Sequence, residues 1–292
     1  MTGASMEAAV ARLCFPHGDP GGVITSGGTE STLLGLLLAK KDAAGAPVRV
    51  VCTRGSRPSV ARVAAQLGLP TPLVLDSLDG LADVLATLTT PTAVIATAGT
   101  IDTGAIEPLR AAARVCRMRG TWVHIDAGEA GVALFSDRLR PVLDGIELAD
   151  SVALDFPELS AGLLAVRAAE LLAHVRPPAS PGVSATFRAH RHRLARDFEE
   201  RCDLAADLAD AICDRRNPVL WRRPALSTVV FRPASGLAEV YARMVSAGFP
   251  VERTRAEGGE WLKIAVPAGL NVASLLDLTG PPLTVGDGPH SE

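Results

Sequence analysis

Lysine is nearly absent from this 292-residue chain: it stands only at Lys40, Lys41 and Lys263, and every other basic residue among the 29 is arginine. Chemistry that needs a lysine amine therefore has three places to draw on. Tyrosine occurs once, at Tyr241. The cysteines (Cys14, Cys52, Cys116, Cys202, Cys213) form no CxxC pair, so neither a zinc site nor a disulfide framework is indicated, and reduced thiols in a cytoplasmic protein are the expectation. The longest apolar runs, such as Leu33 to Ala39, fall short of the ~20 residues of a bilayer span, and the start of the chain shows no basic-then-apolar leader. Basic excess is missing as well. A net charge of −3 gives no electrostatic reason to expect nucleic acid or an anionic membrane as partner. Arg188, Arg191, Arg193 and Arg196 do cluster, at a spacing that fits one solvated helix face.

What is there is an alternation of short β-rich runs and amphipathic ones. Strands are expected over Val48–Thr53, Pro72–Leu75, Ala93–Thr97, Trp122–Asp126 and Ser151–Leu154. Helices are expected over Ser59–Leu67, Leu78–Leu88 and Ile106–Arg119. Short, continuously apolar strands between helices predict an α/β fold with a mainly parallel sheet flanked by helices. The breaker Pro177–Gly182 marks a domain boundary, giving a large domain over 1–178 and a small C-terminal α+β domain over 183–278. In the latter a helix is expected over Ala185–Asp214, strands over Ser227–Arg232 and Trp261–Val266, and a helix over Leu237–Ala247. The stretch 279–292, rich in Pro and Gly, reads as a disordered tail.

Three segments carry chemistry. Gly22–Ser31, followed by an apolar helix, places small residues with free N–H groups at a helix start. Such a start cradles an anion, with hydroxyls from Ser26, Thr29 and Ser31, or is a plain glycine-rich turn with a Ser or Thr cap. Thr97–Thr100 sits where a strand ends, the edge at which ligands gather in open α/β sheets, and equally fits a tight turn. Asp126 ends a buried strand, Trp122–Asp126, and must be paired, by a protonated heterocyclic nitrogen or by a structural salt bridge.

In this order the segments resemble the group II pyridoxal-phosphate (PLP) decarboxylases, the family of glutamate and aromatic amino acid decarboxylases. Ser26-Gly27-Gly28-Thr29-Glu30 looks like that family's phosphate loop, Thr97-Ala98-Gly99-Thr100 like its loop beside the cofactor, and His124-x-Asp126-Ala127 like the strand whose aspartate pairs with the pyridine nitrogen. Ala149–Val152 matches the lead-in to the lysine segment. Leu226–Arg232 and Gly259–Ile264 resemble the small-domain strands. The resemblance covers most of residues 7–277. It implies a PLP-transferase-like large domain, N-terminally shortened, in a homodimer with its active site at the dimer interface. The implied cofactor-binding residues are Ser26, Gly27, Gly28, Thr29, Arg57, Thr100 and Asp126, with no metal.

The resemblance breaks where the family carries Asp-x-His-Lys. This chain reads Asp155-Phe156-Pro157-Glu158, which puts Glu158 at the position of the Schiff-base lysine and Pro157 at that of the histidine before it. A carboxylate cannot form an imine, so pyridoxal phosphate or its amine form is expected to be held noncovalently if at all. The family's ring-stacking histidine falls at Arg57, and its tyrosine-bearing loop is shortened to Arg176–Ser184.

Two readings of function follow. One is a repurposed enzyme acting on a small amino-acid-like or phosphorylated ligand in bacterial specialised metabolism. In it Glu158, its pKa raised by burial, and His124 are the catalytic candidates, with Glu129 a further one. The other is a non-catalytic pseudoenzyme that keeps the fold to bind a ligand or pair with another subunit.

Overall fold

The computed structural model describes residues 5–175, 181–215, 217–234 and 236–279, with backbone alone for 181–191. The expected tyrosine-loop remnant and the boundary stretch fall largely on 176–180, and the expected tail on 280–292, outside the described residues. Thr279, the first residue of that tail, is buried, and its hydroxyl donates to the Leu276 carbonyl at 2.7 Å. The chain divides into two compact units, 1–101 with 106–196, and 102–105 with 197–292.

The larger unit is built on seven strands: β1 (Gly21–Thr25), β2 (Arg49–Thr53), β3 (Leu73–Leu75), β4 (Thr92–Thr97), β5 (Trp122–Gly128), β6 (Ser151–Phe156) and β7 (Ala161–Val166). Their order across the sheet is β1-β7-β6-β5-β4-β2-β3. The run from β6 to β3 is parallel, while β7 is antiparallel to both β6 and β1. The helices are α1 (Met6–Cys14), α2 (Gly28–Asp42), α3 (Ser59–Gln66), α4 (Leu81–Thr87) and α5 (Leu109–Met118). The parallel strands were legible because β4 and β5 are buried at every position, and a strand covered on both faces has no polar side to show. Two strands were not expected. Ala161–Val166 is equally buried, but Ala and Leu fit a helix as well as a strand, so periodicity does not separate them. Gly21–Thr25 opens on two glycines, which are depleted in strands.

A core of Leu36, Leu38, Val48, Val50, Val63, Ile95, Trp122, Leu164 and Val166 joins α2 and α3 to the sheet. Because β1 runs in the same sense as β6, its end at Thr25 lies at the sheet edge where β2, β4, β5 and β6 end. The turn after β1 therefore delivers the N-terminus of α2 to that edge. No described helix is long and apolar enough to cross a membrane.

The smaller unit carries most of the helix α6 (Pro181–Cys213), strands β8 (Val219–Leu220), β9 (Thr228–Arg232), β10 (Val251–Ala256) and β11 (Gly259–Ala265), and helices α7 (Leu237–Ser246) and α8 (Val272–Asp277). Its antiparallel sheet, ordered β10-β11-β9-β8, packs Val229, Phe231, Leu262 and Ile264 against Leu208, Ile212, Val240, Met244 and Leu275.

Candidate functional site

The common edge of β1, β2, β4, β5 and β6 gathers most of the residues singled out in the sequence. Asp126, near the end of β5, is 2% exposed. Its Oδ2 lies 3.5 Å from Arg57 Nε, on a side chain that is 38% exposed. Burial pushes the Asp126 carboxyl up; the Arg57 guanidinium and the Gly128 N–H pull it down, and the nearby Asp155 carboxylate raises it again. Gly128 has φ +40°, and a Cβ there would collide with Arg57 Nη2, so the guanidinium lies against bare backbone. Charged N–H···O bonds normally close to about 2.7–2.9 Å, so this long pair leaves the Asp126 carboxylate with capacity for another donor.

Helix α2 begins at the same edge. Its first N–H groups, at Gly28, Thr29 and Glu30, precede the helical ladder, whose first bond runs from Ser31 N–H to the Gly27 carbonyl at 3.1 Å. The Ser26 N–H is already committed, donating to Glu30 Oε2 at 2.6 Å. Asp155 faces the glycines: a Cβ built on Gly28 would stand 3.4 Å from its Oδ2, and one on Gly27 3.7 Å from its Oδ1. Asp155 was read in the sequence only as part of the departing segment. The structure makes it a member of the site.

The two catalytic candidates lie elsewhere in character. Glu158 sits on the short turn Pro157–Leu159 between β6 and β7 and is exposed, so the desolvated setting expected for it is absent. His124 is fully buried under α2: a Cβ on Gly35 would lie 2.5 Å from its Nδ1. That nitrogen is 2.8 Å from Ser151 Oγ, which also accepts from Trp122 Nε1 at 3.2 Å; Nε2 has no hydrogen-bond partner. Burial pushes the imidazole down to about 3, so it is neutral and enclosed. Its place is in the core. Glu129 opens the 3-10 turn that follows β5.

Sequence reading missed Glu107. Half-buried beyond β4, it accepts from the Thr53 hydroxyl and, at 2.6 Å, from the Thr97 N–H, and burial raises its carboxyl against both bonds. Only its distance from the strand end hid it, since it lies 10 residues past Thr97. Thr100 stands against the turn after β2: a Cβ on Gly55 would be 2.7 Å from its Cγ2.

Lys40 and Lys41 are placed away from this edge. Lys40 lies in the last turn of α2, about 18 Å along the axis from Gly28 at 1.5 Å per residue, and its Nζ donates to the Leu67 carbonyl at 2.7 Å. Lys41 follows it. Lys263 belongs to the smaller unit and pairs with Glu252 at 2.7 Å. Among the described residues no group of three His, Cys, Asp or Glu side chains gathers to hold a metal ion.

Residues 81–161, which span Thr100, Glu107, Asp126 and Glu158, match the pyridoxal-dependent decarboxylase conserved domain. L-2,4-Diaminobutyrate decarboxylase of Acinetobacter baumannii is 36% identical over 171 residues, covering 46% of this chain and 34% of that protein. Human cysteine sulfinic acid decarboxylase is 51% identical over 63 residues, 22% of this chain and 13% of that one. These matches span about a third or less of the curated relatives' length. Among solved structures, the glutamate decarboxylase domain of a diaminobutyrate-pyruvate transaminase and L-2,4-diaminobutyrate decarboxylase from Vibrio parahaemolyticus superposes with a TM-score of 0.80. It is 24% identical, and the match covers 94% of this chain and 71% of that one. Mouse CSAD gives 0.78 at 23% identity, over 94% and 74%. At these identities the structural likeness concerns the fold.

Proposed function

We propose that the chain, whose residues 81–161 match the pyridoxal-dependent decarboxylase conserved domain, is a group II pyridoxal-phosphate-dependent decarboxylase relative that keeps that family's ring site as a noncovalent binding site and does not carry out lysine-linked decarboxylation. The family's cofactor is PLP. The observation that carries this reading is Asp126, a carboxylate held 2% exposed at a sheet edge with only a 3.5 Å contact to its cation. An acid kept buried at such cost is accounted for by a second, protonated partner.

The donor set fits a phosphorylated pyridine ring at one end and strains against it at the other. Asp126 would accept from the ring nitrogen and keep its proton in place, and Arg57, one-third exposed beside it, would cover the ring face. The N–H groups of Gly28 and Thr29, with the Ser26 and Thr29 hydroxyls, would take the phosphate at the start of α2. Asp155 opposes a phosphate dianion there. Thr100 would flank the ring from the turn after β4. When bound, a protonated pyridine ring supplies an electron sink.

This supports a non-catalytic binding or partner-subunit role, because the acid at the lysine position is exposed and the histidine candidate is enclosed. A second reading, the repurposed enzyme acting on a small amino-acid-like or phosphorylated ligand, has one observation in its favour: Glu158 shares its hairpin with Asp155, which stands against Gly28. Pairing of two copies remains part of both readings.

The test is titration with PLP and with its amine form, followed by absorbance and calorimetry. Borohydride reduction and intact-mass measurement then complete it. Saturable binding of both forms is expected, abolished in Asp126→Ala, with no more covalent adduct after reduction than that variant shows. Absence of saturable binding, or a stoichiometric adduct dependent on Asp126, would overturn the proposal.

A further inference from the structure

The turn that carries Arg57 is held from below by a group that the ring site does not use. Thr53, at the end of β2, and Thr97, at the end of β4, are 3% and 1% exposed, and Glu107 ties the two together through the Thr53 hydroxyl and the Thr97 N–H. Thr53 Oγ1 also accepts from the Gly55 N–H at 3.2 Å. Ser56, 7% exposed, is fixed on both sides. Its N–H donates to the Thr53 carbonyl at 3.1 Å, and its hydroxyl lies 3.1 Å from Thr97 Oγ1. The Gly55 carbonyl accepts from the Ile101 N–H at 3.0 Å, next to Thr100. Apart from the bond between the Thr97 N–H and Glu107, each of these ends on the Thr53–Ser56 turn, and the residue that follows is Arg57.

We propose that Glu107 is a positioning residue: by bracing Thr53 and Thr97 it fixes the turn 53–56 and so sets the Arg57 guanidinium on the Asp126 carboxylate and the Gly128 backbone. The physical argument is one of satisfied acceptors. An ionised carboxylate offers two oxygens to two donors on neighbouring strands, and charge-assisted bonds of this kind are roughly twice as strong as neutral ones. Gln in its place has one acceptor oxygen. If that oxygen takes the Thr97 N–H, the amide must donate to Thr53, whose hydroxyl then loses the acceptor it had. The turn is thereby loosened without any volume being removed. The Arg57 guanidinium meets Asp126 only at the long distance of 3.5 Å, while its backbone is carried on the turn 53–56 and its carbonyl accepts from the Val60 N–H at 3.0 Å, so a change in that turn moves the side chain.

The inference concerns the apo geometry and rests on the ring-site reading only in its second readout. Hydrogen–deuterium exchange is measured on the full chain as wild type, Glu107→Gln and Arg57→Ala, with peptides across 53–57 and, as reference, across β1 and α1. Glu107→Gln is expected to speed exchange at Gly55 and Ser56 by about tenfold while the reference peptides hold, with Arg57→Ala leaving that turn protected. In parallel, the affinity for the amine form of PLP is measured in the two single variants and the double. Glu107→Gln is expected to weaken binding about fivefold to tenfold when Arg57 is present and not at all when it is absent. Uniform acceleration over the whole sheet, unchanged exchange at the turn, or equal weakening with and without Arg57 would each overturn the positioning role. If no variant binds the amine form, the ring-site reading fails while the exchange result still decides the role of Glu107.

Discussion

Replacing Arg57 by alanine isolates the charge that Asp126 depends on. Two unit charges 3.5 Å apart interact by about 5 kcal/mol at an effective dielectric of 20. The guanidinium is 38% exposed, so water screens part of this, and a loss of about 2 to 3 kcal/mol at pH 8 is expected. For a unit of this size that is roughly a 5 to 10 °C fall in Tm. The pH dependence is the sharper test. Burial holds the Asp126 carboxyl above its ordinary value in the folded protein, so the folded state binds the proton more tightly, and stability falls as pH rises through the folded value. Arg57 opposes that rise, and without it the carboxyl moves higher still. Once pH is low enough to protonate Asp126 in both variants, Arg57 has no charge left to neutralise. The gap between wild type and Arg57→Ala should therefore be widest near pH 8 and narrow steadily toward acid, read from urea midpoints at constant m. A gap that stays constant, or widens toward acid, would refute the claim that Arg57 neutralises Asp126.

Two further substitutions test neighbouring claims. Asp155→Asn removes a carboxylate facing the Gly27–Gly28 backbone, and on a Coulomb estimate across about 5 Å in partly hydrated surroundings it should tighten binding of the amine form roughly fivefold to tenfold by calorimetry. Unchanged affinity would mean that no phosphate sits there. Ser151→Ala strands the buried Trp122 Nε1–H and His124 Nδ1 together and should cost about 2 to 4 kcal/mol in urea unfolding. A loss below 1 kcal/mol would show that the pair finds other partners.

How much of this was legible in the sequence depended on whether a residue's role is local. Asp126 announced itself because an acid at the end of an apolar strand needs a partner, and the start of α2 announced itself through small residues before an apolar helix. Arg57 came from alignment to a ring-stacking position, and the structure places it on Asp126. Glu107 carried no such mark, since its bonds to Thr53 and Thr97 exist only once β2 and β4 lie side by side in the sheet. Glu158 went the other way. Its position in the motif suggested burial, but the turn between antiparallel β6 and β7 points outward, and a two-strand register cannot be seen in a motif. His124 shows the converse error, in which a polar residue two positions from Asp126 on the same strand face looks catalytic until α2 closes over it at Gly35.

The charges at this edge bear directly on the proposed noncovalent site. Asp126, Asp155 and Glu107 bring carboxylates to the ends of β5, β6 and β4, and Arg57 is the cation paired with the most buried of them. In a family whose cofactor is bonded to a lysine, the covalent link holds the ring whatever the balance of charge around it. If, as proposed, that link is lacking here, the ring is held only by what it can neutralise. The edge then favours a ligand that brings a proton to Asp126 over one that brings negative charge to Asp155. Arg57 and the Glu107 brace follow from the same requirement, because a carboxylate as buried as Asp126 must have a cation nearby even when no ring is bound.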